Sequence, residues 1–270
     1  MNLLQRIKKT YSYGLIFGYK RSLSEISKWL ITPKRVVKST LKKAIKTSHL
    51  QYKKRNKANY HSTNKIRLAK KYLKPVSLLP GLELIGLTGS VSANNAKLSD
   101  DIDLVIITSP NTLWVLRPFI LLYLQIIGKR RRWSTLKKSQ KDLFCTNLWL
   151  DIDNLAVPKK QRNLYTAHEV LQVLPLYDRG GVFNLFLTKN RWVKKYLANA
   201  YFLIKKQHRS YSLKKKYKKY YLYPFNLLLF LIQKSLMSGH YKGETVEIGK
   251  AYFHDQRFSA KVLKKHYNNF

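Results

Sequence analysis

The residues best placed to do chemistry are Gly89-Ser90 and Asp101-Ile102-Asp103, separated by ten residues. An apolar run, Leu82 to Leu87, leads into the Gly-Ser pair, and a second, Leu104-Val105-Ile106-Ile107, follows the aspartates. In a strand, side chains alternate between faces, so Asp101 and Asp103 project from one side while Ile102 and Leu104 face the other. Two carboxylates on one face repel unless a positive charge lies between them. A hard divalent cation such as Mg²⁺, which takes oxygen ligands, is the natural occupant. Gly89 lets the backbone approach a ligand closely, and Ser90 adds a hydroxyl and an N–H suited to phosphate oxygens. Metal on one side and phosphate on the other is chemistry on a nucleotide.

The elements that must hold these residues follow from periodicity. The stretches 82–88, 102–108 and 143–150 read as strands, with a long apolar helix over 113–128 and the basic run Lys129-Arg130-Arg131-Arg132 between the second and third. Helices are expected over 166–174, 182–186, 192–202 and 227–237, with Tyr177-Asp178-Arg179-Gly180-Gly181 as a turn between helices. Ahead of this core, Leu23, Ile26 and Leu30 mark a helix that Ser22 or Ser24 could cap. With Thr32-Pro33 and a further helical stretch behind it, that segment is compatible with a helix-turn-helix, a winged-helix unit or a plain helical hairpin. A Lys/Arg-studded helix from 51 to 74, including Lys53-Lys54-Arg55 and Lys70-Lys71, then runs to Pro75. The expected class is α+β: a small mixed-sheet core over 76–160, a basic helical region over 1–75 and a helical region over 161–270.

Charge is distributed unevenly. The net charge is +40; residues 1–80 carry 21 Lys/Arg against the single acid Glu25, whereas residues 81–200 carry 17 against nine acids. A field of that sign attracts polyanions, so nucleic acid is an expected partner and its binding should weaken steeply with salt. The aromatic-interleaved run Lys214-Lys215-Lys216-Tyr217-Lys218-Lys219-Tyr220-Tyr221 reads either as a phosphate-and-base contact surface or as a solvated linker. Basic surfaces meeting anionic lipid are a weaker reading. The stretch 113–127 is interrupted by Arg117 and Pro118, and 225–232 is only eight residues long. Both fall short of the ~20 apolar residues of a spanning helix and are expected as buried helices, so no integral membrane segment is expected. Cys145 stands alone and cannot form an intramolecular disulfide, and Met1 to Thr10 lacks the apolar region of a secretory signal. A cytoplasmic location is the expectation.

Other motifs point away from competing chemistries. His168-Glu169 is followed by Gln172 where a zinc-protease helix needs its second histidine, so it reads as a polar patch on a helix facing the site or a neighbouring helix. His254-Asp255 reads as structural, and no His/Cys cluster supports zinc. Asn190 and Trp192 read as helix cap and core anchor.

The Gly-Ser pair, ten residues and Asp-x-Asp, set between two strands, resembles the nucleotidyltransferase superfamily typified by DNA polymerase beta. A group of bacterial nucleotidyltransferase-domain proteins is more similar still, through Thr88-Gly89-Ser90-Val91, Asp100-Asp101-Ile102-Asp103-Leu104, Leu113-Trp114 with Arg117, Asn147-Leu148-Trp149-Leu150-Asp151, Ala167-His168-Glu169, Asn190-Arg191-Trp192 and Phe253-His254. The resemblance implies a nucleoside triphosphate donor and two Mg²⁺ ions (or Mn²⁺) held by three carboxylates, two on one strand and one on a neighbour. Asp101 and Asp103 match the first two. Asp151 is the expected third, sharing strand parity with Asn147 and Trp149, with Asp153 as the alternative. Gly89 and Ser90 would cradle the β- and γ-phosphates. The implied reaction moves a nucleoside monophosphate to an acceptor hydroxyl, with RNA one candidate acceptor. The alternative is a nucleic-acid-binding protein on an inactive transferase scaffold. The chain departs from the pattern at Ser92-Ala93-Asn94-Asn95, where many members carry Arg-Gly; Arg117 or Arg130 to Arg132 could supply that cation instead.

Overall fold

A computed structural model describes residues 1–46, 48, 50–52, 58–132, 134–136, 139–208, 222–237, 244–253 and 256–268. Lys53-Lys54-Arg55, the basic-aromatic run 214–221 and His254-Asp255 lie outside the described residues. The fold is α+β, built on a six-stranded mixed sheet of order β4-β1-β2-β3-β6-β5. Its strands are β1 (Leu82–Leu87), β2 (Ile102–Thr108), β3 (Phe144–Asp151), β4 (Leu174–Asp178), β5 (Thr245–Glu247) and β6 (Lys250–Tyr252). β2 and β3 are parallel and every other pair is antiparallel. A parallel pair needs a crossover, and the apolar helix at Leu113–Ile126 provides it.

Both faces of the sheet are covered, which explains why its central strands are nearly all apolar. On one face Ile102, Leu104 and Ile106 pack with Leu82, Ile85 and Trp149 against α4 (Tyr60–Ser77) and α6 (Leu113–Ile126). On the other, Leu84, Val105, Ile107 and Leu150 pack against α7 (Leu164–Gln172), α8 (Val182–Lys189) and α9 (Lys194–Gln207). Between β1 and β2 the chain makes one short helix, α5 (Gly89–Ser92).

The N-terminal residues form a helical cluster. α1 (Leu3–Ile16), α2 (Leu23–Lys28) and α3 (Lys38–Lys46) enclose Ile7, Tyr11, Ile26, Leu30, Leu41 and Ile45. Ser22 caps α2 in a reciprocal arrangement with Glu25. Nine residues join α2 to α3, more than the about three or four of a helix-turn-helix. The cluster is fastened to α9: Thr32 N–H donates to Tyr196 O at 2.7 Å, and the Asn199 amide bonds Ser27 and Val36. α4 begins at Tyr60 and buries Ala69, Leu73 and Val76 against the sheet.

Two expectations change. The edge strand β4 takes in Tyr177 and Asp178 of the segment read as a turn between helices, while Arg179-Gly180-Gly181 do form a bend; Pro175 ends the helical pattern two residues earlier and is tolerated at an edge. The apolar C-terminal helix α10 (Tyr223–Met237) is not buried: only Asn226 and Met237 are, because it meets α6 along one narrow stripe. Among the described residues no helix is long and apolar enough to cross a membrane.

Candidate functional site

The Gly-Ser turn and the aspartates meet where β1 ends and β2 and β3 begin. Thr88 N–H donates to the Asp103 carbonyl at 3.0 Å, closing the β1–β2 pairing at this edge. Gly89 then takes a left-handed φ of +63°, and a Cβ there would run into the Asp103 carboxylate. The glycine is required twice over, by conformation and by space. Asp100, beside the pair, accepts from Ser90 Oγ at 2.8 Å and Lys97 N–H at 2.9 Å, so the Ser90 hydroxyl ties its own loop together.

Asp101, Asp103 and Cys145 present ligand atoms within 4.8 Å of one another, close enough to hold a metal ion. Cys145 is the register partner of Asp103 on β3. Arg131 reaches in from the basic loop to pair with Asp101 and also donates to Cys145 Sγ at 3.3 Å. The Asn147 amide donates to Asp103 Oδ1 and accepts from the Cys145 thiol at 2.6 Å. Burial pushes the Asp103 carboxyl up to about 7, helped by repulsion from Asp101 and Glu169 and opposed by Arg131 and the Asn147 hydrogen bond. Burial also pushes Cys145 up to about 12, so it is a protonated thiol at neutral pH. Sulfur suits soft metals, and a hard cation such as Mg²⁺ would take the two carboxylates as its donors.

Asp151 is brought elsewhere. The β2–β3 register passes from Leu104 opposite Thr146 to Val105 opposite Leu148, leaving Asn147 as an extra residue in a bulge. Phe144 therefore packs in the α4–α6 layer and Leu148 in the α7–α9 layer, although an unbroken strand would put both on one face. Asn147 stays on the Asp103 face with Cys145, and Trp149 and Asp151 fall on the other. Asp151 also pairs with Thr108, five residues along β2 from Asp103, about 16 Å at the usual strand rise. Its carboxylate accepts from Asp153 N–H, Asn154 N–H and Asn154 Nδ2, closing the turn after β3. Asp153 is exposed on that turn.

A third carboxylate does face the aspartates, from α7. Glu169 lines the same cavity of about 1480 Å³ as Asp101 and Asp103, lies within electrostatic reach of Asp103 and is hydrogen-bonded by Tyr165. Burial raises it to about 7. The cavity is closed by Tyr13, Arg21 and Trp29 from the N-terminal cluster and by Arg130 to Arg132. Arg117, expected as an alternative cation, binds Gln233 Oε1 at 2.8 Å and lies over the Phe253 ring. Lys65 is almost fully buried and donates to Leu98 O, Asp100 O and Asp142 Oδ1 at 3.2, 2.6 and 2.6 Å, fixing the loop that carries the aspartates. Nothing in the basic α4 sequence separates Lys65 from its neighbours. Asn147 was legible in principle, since Cys145 and Asn147 are polar at i, i+2 in the first half of a strand, as the aspartates are.

No family model matches the sequence, and no curated protein matches it. Two solved structures resemble the fold. One is a crystal structure of a toxin-antitoxin with AMP-PNP, at 16% identity and TM-score 0.25, covering 54% of this chain and 93% of that one. The other is a STING-associated CdnE c-di-GMP synthase from Capnocytophaga granulosa, at 18% identity and TM-score 0.26, covering 76% and 79%. Overlap this slight says nothing of function, which rests on the side chains themselves.

Proposed function

We propose that the chain is a metal-dependent nucleotidyltransferase that moves a nucleoside monophosphate from a nucleoside triphosphate to an acceptor hydroxyl, releasing pyrophosphate, with RNA as the acceptor class its charge favours. The observation that carries the reading is the convergence of Asp101 and Asp103 against a left-handed Gly89 at the mouth of a cavity large enough for a nucleotide and an acceptor. The donor set suits Mg²⁺ or Mn²⁺: two hard carboxylates, with substrate phosphates and water left to complete the shell. Bound there, the ion would neutralise charge on the triphosphate and polarise it for in-line displacement. Asp101 and Asp103 would hold it, Gly89 would admit the phosphates at close range, and Arg131 would exchange its contact with Asp101 for a phosphate oxygen. Glu169, raised to about 7 and facing the pair, is the group available to take the acceptor proton.

Incubation with each α-labelled NTP and an RNA pool tests this. Metal-dependent label transfer that Asp103→Asn abolishes is expected. Absence of NTP binding in Mg²⁺ and Mn²⁺, with Asp101→Asn changing nothing, would refute it.

A second reading is favoured by the amide of Asn147 beside Asp103 and by Arg131 on Asp101: a nucleic-acid-binding protein on a scaffold that no longer transfers. It requires tight RNA or DNA binding with a steep salt slope and no label transfer.

A further inference from the structure

The cavity that holds the carboxylates is also lined by a buried cation outside every ion pair among the described residues. Arg21 is 5% exposed, and none of the ion pairs among the described residues includes it. Glu25 is close enough to be felt, but its carboxylate is taken by Tyr19 and Ser22. Arg21 is nevertheless held in place. His168 Nδ1 bonds Leu164 O at 3.0 Å and so carries the proton, which makes Nε2 an acceptor for Arg21 Nη2 at 3.4 Å. His168 is itself stacked on Tyr13, with ring centroids 4.2 Å apart. Arg21 Nη1 has no hydrogen-bond partner among the described residues. A buried cation that belongs to no ion pair and leaves a donor unsatisfied is costly to hold in a fold.

The position suits a phosphate. A nucleoside triphosphate keeps net negative charge after one divalent ion binds, and the segment after Ser90, Val91-Ser92-Ala93-Asn94-Asn95-Ala96, offers no cation. That segment is tied to the N-terminal cluster, because Asn95 Nδ2 donates to Phe17 O at 3.1 Å, four residues before Arg21. Tyr13 lies in electrostatic reach of both Glu169 and Arg21, bridging the acidic and basic walls.

We propose that Arg21, oriented by His168, is the phosphate anchor of this cavity, binding the terminal phosphates of the triphosphate whose metal end Asp101 and Asp103 hold. The assignment rests on the nucleotide reading above and extends it to the N-terminal cluster, which then completes the ligand site. The buried Nη1 would be met in a dry setting, where a charge-assisted hydrogen bond is strong.

The test uses the full chain and inorganic tripolyphosphate with Mn²⁺, read by thermal shift and calorimetry, with Mn²⁺ alone measured separately. In Arg21→Met, the ligand-free melting temperature should equal or exceed that of wild type, while tripolyphosphate affinity falls about tenfold or more. Mn²⁺ binding should be unchanged in Arg21→Met and lost in Asp103→Asn. Equal tripolyphosphate affinity in wild type and Arg21→Met overturns the anchor while leaving the metal reading intact; no Mn²⁺ binding by wild type overturns both. Should Arg21→Met fail to fold, Arg21→Lys decides: weakened tripolyphosphate binding at a normal melting temperature supports the anchor, and undiminished binding overturns it.

Discussion

Replacing Asn147 with aspartate would place a carboxylate beside Asp103, where the strand now puts an amide. The Asn147 Nδ2–Asp103 hydrogen bond is to a charged acceptor, and its loss removes about 1.5–3 kcal/mol. Two carboxylates about 4 Å apart at a surface-like effective dielectric add repulsion of about 4 kcal/mol if both ionise. The pair escapes by keeping a proton. Asp103 already titrates at about 7, so near pH 5.5 a shared proton replaces the lost N–H and the variant should nearly match wild type. Groups whose folded pKa lies above the unfolded value lose native stability as pH rises through that interval, so the deficit should grow toward pH 8. At pH 8 it should reach about 2–4 kcal/mol, or about 5–10 °C in melting temperature. Millimolar Mn²⁺ should erase it, because three carboxylates would then share a cation. Thermal unfolding of Asn147→Asp and wild type at pH 5.5 and 8, with and without Mn²⁺, measures all four states. If the variant is as stable as wild type at pH 8 without metal, or gains no more from Mn²⁺, Asn147 does not face the metal position.

Three further outcomes are expected. Lys65→Met should destabilise by about 2–4 kcal/mol in urea, since it strands the Leu98 and Asp100 carbonyls and Asp142; Asp142→Asn, on the more exposed partner, should cost less. Gly89→Ala should cost about 1–2 kcal/mol for the left-handed backbone alone and should also weaken Mn²⁺ binding by displacing the Asp103 carboxylate, both readable in one thermal-shift titration. Mn²⁺ affinity of the wild type should climb between pH 6 and 8, because metal and proton compete for Asp103, held at about 7; a flat profile would place the ion elsewhere.

The sheet was readable because its central strands are apolar on both faces and end at glycine or charged residues. The expected 102–108 is the observed β2, and the 82–88 and 143–150 expectations lie within one residue of β1 and β3 at each end. The outer strands were not readable. β5 and β6 are three residues each, and β4 contains a proline, so none offers enough alternation to show period two. α10 misleads for the opposite reason. Tyr223, Phe225, Leu228, Leu231, Ile232 and Leu236 look like a core helix, yet they lie exposed, because hydrophobic content does not say which faces find a partner.

For the site, the local half was legible and the distant half was not. Gly89, Asp101 and Asp103 are set by one hairpin-like return of the chain, so alternation alone brings them together. The expectation for Asp151 used the same alternation across β3, where one extra residue reverses it. Parity runs correctly from Leu148 to Asp151 and from Phe144 to Thr146, but not across Asn147. A bulge in a parallel pair has no marker in a single sequence, and its effect is large: it turns Asp151, already far along the strand, to the opposite face, while Cys145 and Asn147 ahead of it keep their place beside Asp103. The groups that complete the cavity, Glu169 on α7 and Arg21 before α2, come from segments distant in sequence. Their burial comes from packing between distant elements, as where Arg21 of the N-terminal cluster meets His168 of α7. The basic N-terminal stretch is thus a wall of the candidate site as well as a source of charge, and a chain beginning after residue 30 would lose Arg21 and Tyr13 from that wall while keeping every residue of the Gly-Ser and Asp-x-Asp pair.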